Sequence, residues 1–480
     1  MLPSIVLASN LILALTEGVA ISNPYETDDY SKVGTQSSIF QFLDGSAPYF
    51  PYPQNYSISK EIPDGCKIKQ VQVFARHGER FPTQHAGKTL LKLWSKLSNY
   101  STQFNGSLSF LNNNYKFFFS ADEEELLVDE TRSKNVWNPY MGTTDARKHA
   151  GEFLEQYSEL LEQDANITAF CTNSNRVHET AENFIEALGD NYNFNLEIIS
   201  EDGSQGANSL TPAYACAAWN ESEGIDTIDK FDTTYLSEIA QRVTSVNQGL
   251  NFTKDDAFTM FNWCAFELNI KGYSDACNMF TEEELIKYSY YSDLEYYYSD
   301  FVGCSVCKAI GSVPFNASLQ LLTADESTLD QKVWISFTHD TDIINYLSAV
   351  GLFDNDIPLT GEHMPFMNHA FHKSWIAPCG ARLYTQKFEC PIEQSNGTYS
   401  NSTEEYVRYV LNDAVIPIEN CSTGPGFSCE LQDFVQYAED RLAGVNYAEQ
   451  CQISQYSNVT DLTFYWDYKT KNYTSPLILQ

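Results

Sequence analysis

The chain has 480 residues, 43% of them hydrophobic and 14% aromatic, enough to bury a large core in one big domain or two joined ones and too apolar for a disordered chain. Its 64 acidic residues against 29 basic ones give a formal charge of −35 and a pI of 4.4, which excludes a nucleic-acid or anionic-membrane partner because both need a basic face. That negative excess repels itself less as pH falls toward the carboxylate pKa of about 4, so an acidic working environment fits.

Residues 1–20, MLPSIVLASNLILALTEGVA, carry an apolar stretch too short to span a bilayer, then Gly18 and Ala20 at signal-peptidase spacing. We read them as a removed signal peptide, although only the amino terminus supplies positive charge. Residues 21–65, with Gly, Pro, Ser and Tyr but little periodicity, read as an irregular arm on the surface. Order begins near Cys66. Ile68 to Phe74 alternates apolar and polar residues and stops at a polar turn containing Gly78 and Pro82, the pattern of a strand entering a loop.

The same design recurs twice. Ile167 to Cys171 runs into Asn173-Ser174-Asn175-Arg176 before a helical stretch, Val177 to Leu188. Val333 to Phe337 runs into Thr338-His339-Asp340-Thr341 before another, Asp342 to Val350. Open α/β sheets bind ligands beyond the carboxyl ends of their strands, where helix N-termini favour anions, so the three junctions are expected to face one pocket. From 201 to 311 strand signals give way to helical periodicity, with Tyr288, Tyr291, Leu294 and Tyr298 on one stripe that reads as packing rather than a sugar platform. The expected layout is therefore an α/β domain made of 66–200 and 312–480, with 201–311 a mainly helical insertion. No internal repeat or extended low-complexity tract is found.

Export is expected on two further grounds. Asn-x-Ser/Thr sequons stand at Asn55, Asn99, Asn105, Asn166, Asn220, Asn251, Asn316, Asn396, Asn401, Asn420, Asn458 and Asn472, a density that marks glycosylation candidates. The 12 cysteines are even in number and spread along the chain, which favours disulfides. Cys304-Ser305-Val306-Cys307 is the one CxxC, and no second CxxC or His partner accompanies it. His363, His369 and His372 have spacing that suits a metal, yet no cysteine or paired acid is evident beside them, so no metal is expected. Nothing near the C-terminus resembles a membrane span or lipid-anchor tail. A secreted product is expected, in the extracellular space, periplasm or cell wall.

The chemistry concentrates at one place. Of only 9 arginines, two flank a single histidine in Arg76-His77-Gly78-Glu79-Arg80-Phe81-Pro82, which in an acidic chain asks for an anion. A guanidinium matches phosphate oxygens bidentately and keeps its charge at any relevant pH. Gly78 is expected to let the backbone approach the ligand, and Pro82 to stiffen the loop exit. Arginines disfavour the protonated form of His77, so its imidazole stays a nucleophile below the usual pKa of about 6.5. Glu79 is expected to hold a loop arginine or face solvent. His339-Asp340 alone leaves a metal-ligand pair or a capped helix start open.

The first stretch matches RHGxRxP, the signature of the histidine acid phosphatases, and His339-Asp340 resembles the same family's His-Asp pair. Segments such as SNYSTQFNGSLSFLN, KVWISFTHDTDIINYL and CSTGPGFSC resemble the secreted, phosphate-repressible yeast acid phosphatases, and the yeast phytases share that framework. The likeness runs from about residue 30 to the end. It implies a sheet-centred α/β domain with helices on both faces and a smaller helical domain, the histidine phosphatase fold. It also implies that His77 is the nucleophile, that Asp340 protonates the leaving group, and that Arg76, Arg80, Arg176 and His339 bind the phosphoryl oxygens. The implied disulfides are Cys66–Cys390, Cys216–Cys451, Cys264–Cys277 and Cys421–Cys429; Cys171, Cys304, Cys307 and Cys379 are left over, with a Cys304–Cys307 bridge open and Cys171 a candidate buried thiol.

No metal or organic cofactor is implied, and the partners are small phosphate esters, with a homo-oligomer left open. The expected activity is hydrolysis of phosphate monoesters with broad specificity, in phosphate scavenging. The scattered lysines favour small monoesters over phytate, although a phytase is the nearest alternative. A metal-dependent phosphohydrolase using His339, Asp340 and Asp342, and a non-catalytic cell-wall glycoprotein, are the alternatives of other classes.

Overall fold

The structure is a computed structural model that describes residues 32–54, 57–112, 115–121, 138–161, 166–354, 357–365, 369–393 and 399–478. The signal-peptide segment, Asn55, Asn396 and the side chain of Asn401 lie outside the described residues. Eight strands form one sheet: β1 (Lys67–Arg76), β2 (Asn166–Thr172), β3 (Asn193–Ile199), β4 (Val333–Thr338), β5 (Arg382–Glu393), β6 (Tyr399–Leu411), β7 (Ala414–Ile416) and β8 (Cys429–Glu430). Their order is β3-β2-β4-β1-β5-β6-β7, with β8 on β6.

β1, β2, β3 and β4 run parallel, while β5 and β6 are antiparallel additions beyond β1. β4 is buried along its whole length, as expected of a parallel strand covered on both faces. Arg76 pairs with Thr338 and Cys171 with Phe337, so β1, β4 and β2 end at one edge of the sheet. Neighbouring strands are about 4.8 Å apart, so the loops leaving β1 and β2 start about 10 Å from each other.

Each of those strands feeds a helix. β1 leads to α1 (Gln84–Ser98), capped by Thr83; α2 (Gly142–Tyr157) follows, then β2 leads to α3 (Asn175–Leu188). The region 201–311 has no strand among its described residues and contains α4 (Thr234–Val246), α5 (Lys254–Lys271) and α6 (Glu282–Ser299). Capping boxes at Thr253/Asp256 and Thr281/Glu284 start α5 and α6. Tyr288 of α6 stacks on Phe261 of α5 at 4.1 Å, so the tyrosine stripe packs helix on helix.

α7 (Cys307–Thr323) spans the expected 311/312 boundary and lies against α8 (Asp340–Val350), which β4 feeds. Gly311 makes that crossing close: a Cβ there would collide with the carbonyl oxygen of Asn345. Phe153, Phe184 and Phe337 fill the core on one face of the sheet. On the other face a single apolar cluster continues from Phe74 and Trp334 through Ile343 into Phe261 and Trp263.

The N-terminal arm differs from its expected surface position. Phe40, Leu43, Ala47 and Tyr52 are buried in that cluster, held there by backbone bonds from Tyr52 N–H to the Asn412 carbonyl at 2.7 Å and from Cys379 N–H to the Ala47 carbonyl at 3.0 Å, while residues 57–65 keep to the surface as expected. The structure contains the four disulfides named above and a fifth, Cys304–Cys307. Cys171 and Cys379 are free and buried.

Candidate active site

All three junctions meet beyond the edge where β1, β2 and β4 end. His77 follows β1 and is 1% exposed, and its Nδ1 lies 2.9 Å from the carbonyl oxygen of Gly78. A carbonyl only accepts, so Nδ1 carries the proton and Nε2 keeps a free lone pair. Burial, then the charges of Arg76, Arg176 and Arg80, hold the imidazolium pKa well below its ordinary 6.5. The ring is therefore neutral well into the acidic range.

Gly78 serves a different end from the expected one. A Cβ on it would stand 2.9 Å from the carbonyl oxygen of Gly142, so the absent side chain permits close approach of α2 rather than of a ligand. Its N–H donates to Thr180 Oγ1 at 2.9 Å, and Thr180 Oγ1 donates in turn to the Arg176 carbonyl at 2.8 Å. One threonine thus ties the His77 loop to the Arg176 turn. Glu79 neither faces solvent nor holds a loop arginine: its Oε1 accepts from the Tyr49 N–H at 2.7 Å, and burial beside Asp145 pushes its carboxyl up to about 8.

The arginines come from separate elements. Arg76 ends β1, donating from Nη1 to the carbonyls of Gly45 and Ala377 and standing 3.2 Å from Asp340 Oδ2 through Nη2. Arg80 donates to the Phe81 carbonyl at 2.9 Å and lies over the Phe266 ring of α5 at 5.6 Å. Burial and the nearby Arg176 lower its pKa to about 10, which leaves it charged. Arg176, in the first turn of α3, reaches His339 Nδ1 at 3.4 Å. The C-terminal segment clamps that turn, with Asn175 N–H donating to the Ile478 carbonyl at 3.0 Å and Ile478 N–H to the Asn173 carbonyl at 2.8 Å.

His339 and Asp340 start α8. The His339 and His77 rings are 5.8 Å apart between centroids. A guanidinium only donates, so His339 Nδ1 accepts from Arg176 and Nε2–H points at Glu201 Oε1, 2.6 Å away. Asp340 Oδ2 takes both Arg76 and the ammonium of Lys373, a fully buried lysine that also lies 4.1 Å over the Tyr296 ring. Burial alone would raise the Asp340 carboxyl, but Arg76 and Lys373 outweigh it and hold the group well below its ordinary 3.8. Before a ligand binds, this carboxyl is ionised.

Asp342 does not join Asp340 and His339 in a metal-like set. Its Oδ2 turns back to accept from Thr338 Oγ1 at 2.6 Å and from the His339 N–H at 3.4 Å.

Three contributors escaped the sequence reading. Gly45 supplies a carbonyl to Arg76, and a Cβ there would stand 2.6 Å from Lys373 Nζ and 3.2 Å from Asp340. Glu201 comes just after β3, held by its N–H on Asn173 Oδ1 at 2.9 Å. Its signal was present, since Asn193 to Ile199 followed by Ser200-Glu201-Asp202 repeats the strand-then-polar-turn pattern. Lys373, in His372-Lys373-Ser374-Trp375, carries no such signal. The assembled site concentrates four cations, Arg76 and Lys373 buried and Arg80 and Arg176 half-buried, against two carboxylates, Asp340 and Glu201, which suits a multiply charged anion.

Comparison with known proteins agrees with that geometry. Residues 67–412 match the profile of the histidine phosphatase superfamily (branch 2). A constitutive acid phosphatase of Saccharomyces cerevisiae is 52% identical over 456 residues, 95% of each chain. A phytase of Candida albicans is 43% identical, covering 92% of this chain and 93% of its own. The crystal structure of the phytase from D. castellii superposes with a TM-score of 0.85 at 42% identity, covering 92% of this chain and 93% of that one.

Proposed function

The chain belongs to branch 2 of the histidine phosphatase superfamily, and from that premise we propose that it is an acid phosphatase acting on phosphate monoesters through a phosphohistidine at His77. The observation that carries the reading is the state of His77: neutral, with Nε2 free, and ringed by Arg76, Arg80 and Arg176. The three guanidinium groups bind the non-bridging oxygens and stabilise the charge that develops there during transfer. Nε2 attacks phosphorus as the ester P–O bond breaks, and the departing alkoxide takes a proton from Asp340.

Asp340 is ionised in the free site, so that proton arrives with the substrate. A phosphate monoester below its second pKa of about 6 is a monoanion, and once bound it competes with Asp340 for Arg76, which raises the affinity of the carboxylate for the ester's proton. Water then attacks phosphohistidine, the P–N bond breaks, and Asp340 accepts the water's proton. The proton passes from Asp340 to orthophosphate, which leaves with it, so that Asp340 is ionised again and Nε2 regains its lone pair. His339 orients Arg176, and when protonated it offers Nδ1–H to a phosphoryl oxygen while Glu201 holds Nε2–H.

Replacing His77 with Ala in the purified protein is expected to lower kcat at least about 1,000-fold, with no effect of chelators on the parent enzyme. Unchanged hydrolysis by that variant would overturn His77 as the nucleophile, and loss of that activity on chelation would then decide for the metal-dependent reading. A phytase is the second reading, favoured by the 43% identity to the Candida albicans enzyme. A kcat/KM for phytate well above that for p-nitrophenyl phosphate would decide for it.

Export is part of the same proposal. Support comes from the five disulfides and from the exposure of Asn99, Asn105, Asn166, Asn220, Asn251, Asn316, Asn420, Asn458 and Asn472, which leaves each sequon open to a glycan. Among the described residues no helix is long and apolar enough to cross a membrane. A protein recovered from the medium or cell wall should drop in mass on endoglycosidase treatment; recovery in the cytosol at its polypeptide mass would reject export.

A further inference from the structure

A second histidine cluster lies behind Lys373, away from the phosphate pocket. His369 Nε2 and His372 Nδ1 both meet one oxygen of Asp293, Oδ2, at 2.8 and 3.1 Å. The three ligand atoms lie within 4.8 Å of one another. His363 is not part of this set among the described residues. The acid that the histidine spacing lacked in sequence is thus supplied by α6, 76 positions upstream of His369.

We propose that Asp293, His369 and His372 bind a divalent transition-metal ion of the zinc type, with water completing the coordination. The donor set, two imidazoles and one carboxylate, is that of borderline N/O-binding metals rather than of calcium or magnesium. Tetrahedral ligands about 2.1 Å from a zinc ion stand about 3.4 Å from one another, so side-chain shifts of up to about 1 Å, the nitrogens drawing back from Oδ2 and toward each other, admit one.

The surroundings are built as a metal's outer shell is. Asp293 Oδ1 accepts the Lys373 N–H at 2.7 Å, which fixes the carboxylate and leaves Oδ2 to the histidines. The His372 ring stacks on Trp375 at 3.9 Å and also bonds the backbone of His369, while Tyr290 meets the His369 ring edge-on at 5.2 Å. Asp293 is 1% exposed and both histidine side chains 11%, so the donors are pre-oriented and nearly dry. One side opens on a cavity of about 180 Å³ between the arm at Gln41 and Phe42 and α6 at Ile286 and Ser289, which provides an entry path and room for the completing water.

An ion pair alone explains the cluster less well. Two rings only 4.0 Å apart between centroids share a single carboxylate oxygen, which leaves two partial positive charges facing each other. A dication between them replaces that repulsion with coordination. The ion would take no part in phosphoryl transfer, in keeping with activity indifferent to chelators; its site is separated from the pocket by Lys373, whose backbone N–H bonds Asp293 and whose ammonium holds Asp340.

The test uses the full secreted protein, stripped with chelator and dialysed to pH 7. Zn²⁺ titrated by calorimetry should give one site per chain with Kd at or below about 10 μM, and Co²⁺ should give the visible absorption of a four- or five-coordinate ion. His369→Gln and His372→Gln should each weaken Zn²⁺ at least about 10-fold and abolish the cobalt spectrum, while the exposed His85→Gln should leave both unchanged. Far-UV circular dichroism and the unfolding temperature of each variant establish that it is folded, and Asp293→Asn supplies a third probe if one histidine variant is not. Retention of the cobalt spectrum in the folded histidine variants overturns the proposal. So does non-saturating Zn²⁺ uptake by the parent, the behaviour of an acidic surface alone.

Discussion

Asp340 and Asp342 stand on the same first turn of α8, the first half-buried and the second buried, and their acidities part in opposite directions. Asp340 faces Arg76 and Lys373, which hold its carboxyl well below the ordinary value despite burial. Asp342 meets only neutral donors, the Thr338 hydroxyl and the His339 N–H, and burial pushes it well above. What separates them is the sign of the charge each faces, so position in the motif does not by itself assign a role. Asp340 is placed to exchange a proton with a ligand. Asp342 keeps its own and caps the helix.

The largest effect should follow removal of the exchanging group. Asp340→Asn is expected to lower kcat for alkyl phosphates about 100- to 10,000-fold, the usual range for losing a general acid. The loss should shrink for p-nitrophenyl phosphate, whose leaving group needs little protonation. Equal losses on both substrates would remove Asp340 from leaving-group chemistry and return it to a purely structural place beside Arg76.

Glu201→Gln should act next. Glu201 raises the basicity of His339, against burial and Arg176, so its loss moves the His339 imidazolium to lower pH. Fewer molecules then offer Nδ1–H to the phosphoryl group. The inhibition constant of inorganic phosphate near pH 5 should rise about 10-fold with a smaller change in kcat, whereas a kcat loss without weaker phosphate binding would mean that Glu201 positions the chemistry instead.

Lys373→Met takes away one of the two cations on Asp340 while Arg76 remains. With less stabilisation of its ionised form, the Asp340 carboxyl rises, and the limb of the kcat profile that it governs should move about one unit toward higher pH. A profile that merely drops in height without moving would assign Lys373 to packing over Tyr296.

The reading of the sequence reached what is local and stopped where the site is not. Arg76, His77, Arg80, Arg176, His339 and Asp340 each sit at a strand end followed by a helix, and apolar runs closed by polar turns mark such places within a few residues. The mixed sheet was harder. β5 carries buried Arg382, Thr385, Gln386 and Lys387, and β6 is polar and exposed from Ser402 to Glu404 and then buried without a break from Val407 to Leu411, Arg408 included, so neither shows the plain period-two pattern of an exposed strand. Gly45, Glu201, Lys373 and Asp293 act through chain segments remote from the motifs they serve. Charge on Asp340 depends on residue 373, and the partner of His369 lies on α6; only the folded backbone brings these pairs together.

The smallest effect, and the sharpest contrast, belongs to Asp342→Asn. The amide oxygen can still accept from Thr338 and from the His339 N–H, so kcat should change by less than about 3-fold. Stability should nevertheless respond to pH. A carboxyl whose folded pKa is raised binds a proton that the unfolded chain gives up above about pH 4, so in the parent this group's contribution falls as pH rises from there toward the folded value. Asparagine has no proton to lose, and the variant should lose less unfolding temperature than the parent between pH 4 and pH 7. Asp340 has the opposite slope: its contribution is present above about pH 4 and is lost as pH falls through its depressed folded value. If Asp342→Asn left the pH dependence of unfolding untouched, the proton assigned to Asp342 would be absent, and the two carboxylates would differ in hydrogen bonding alone.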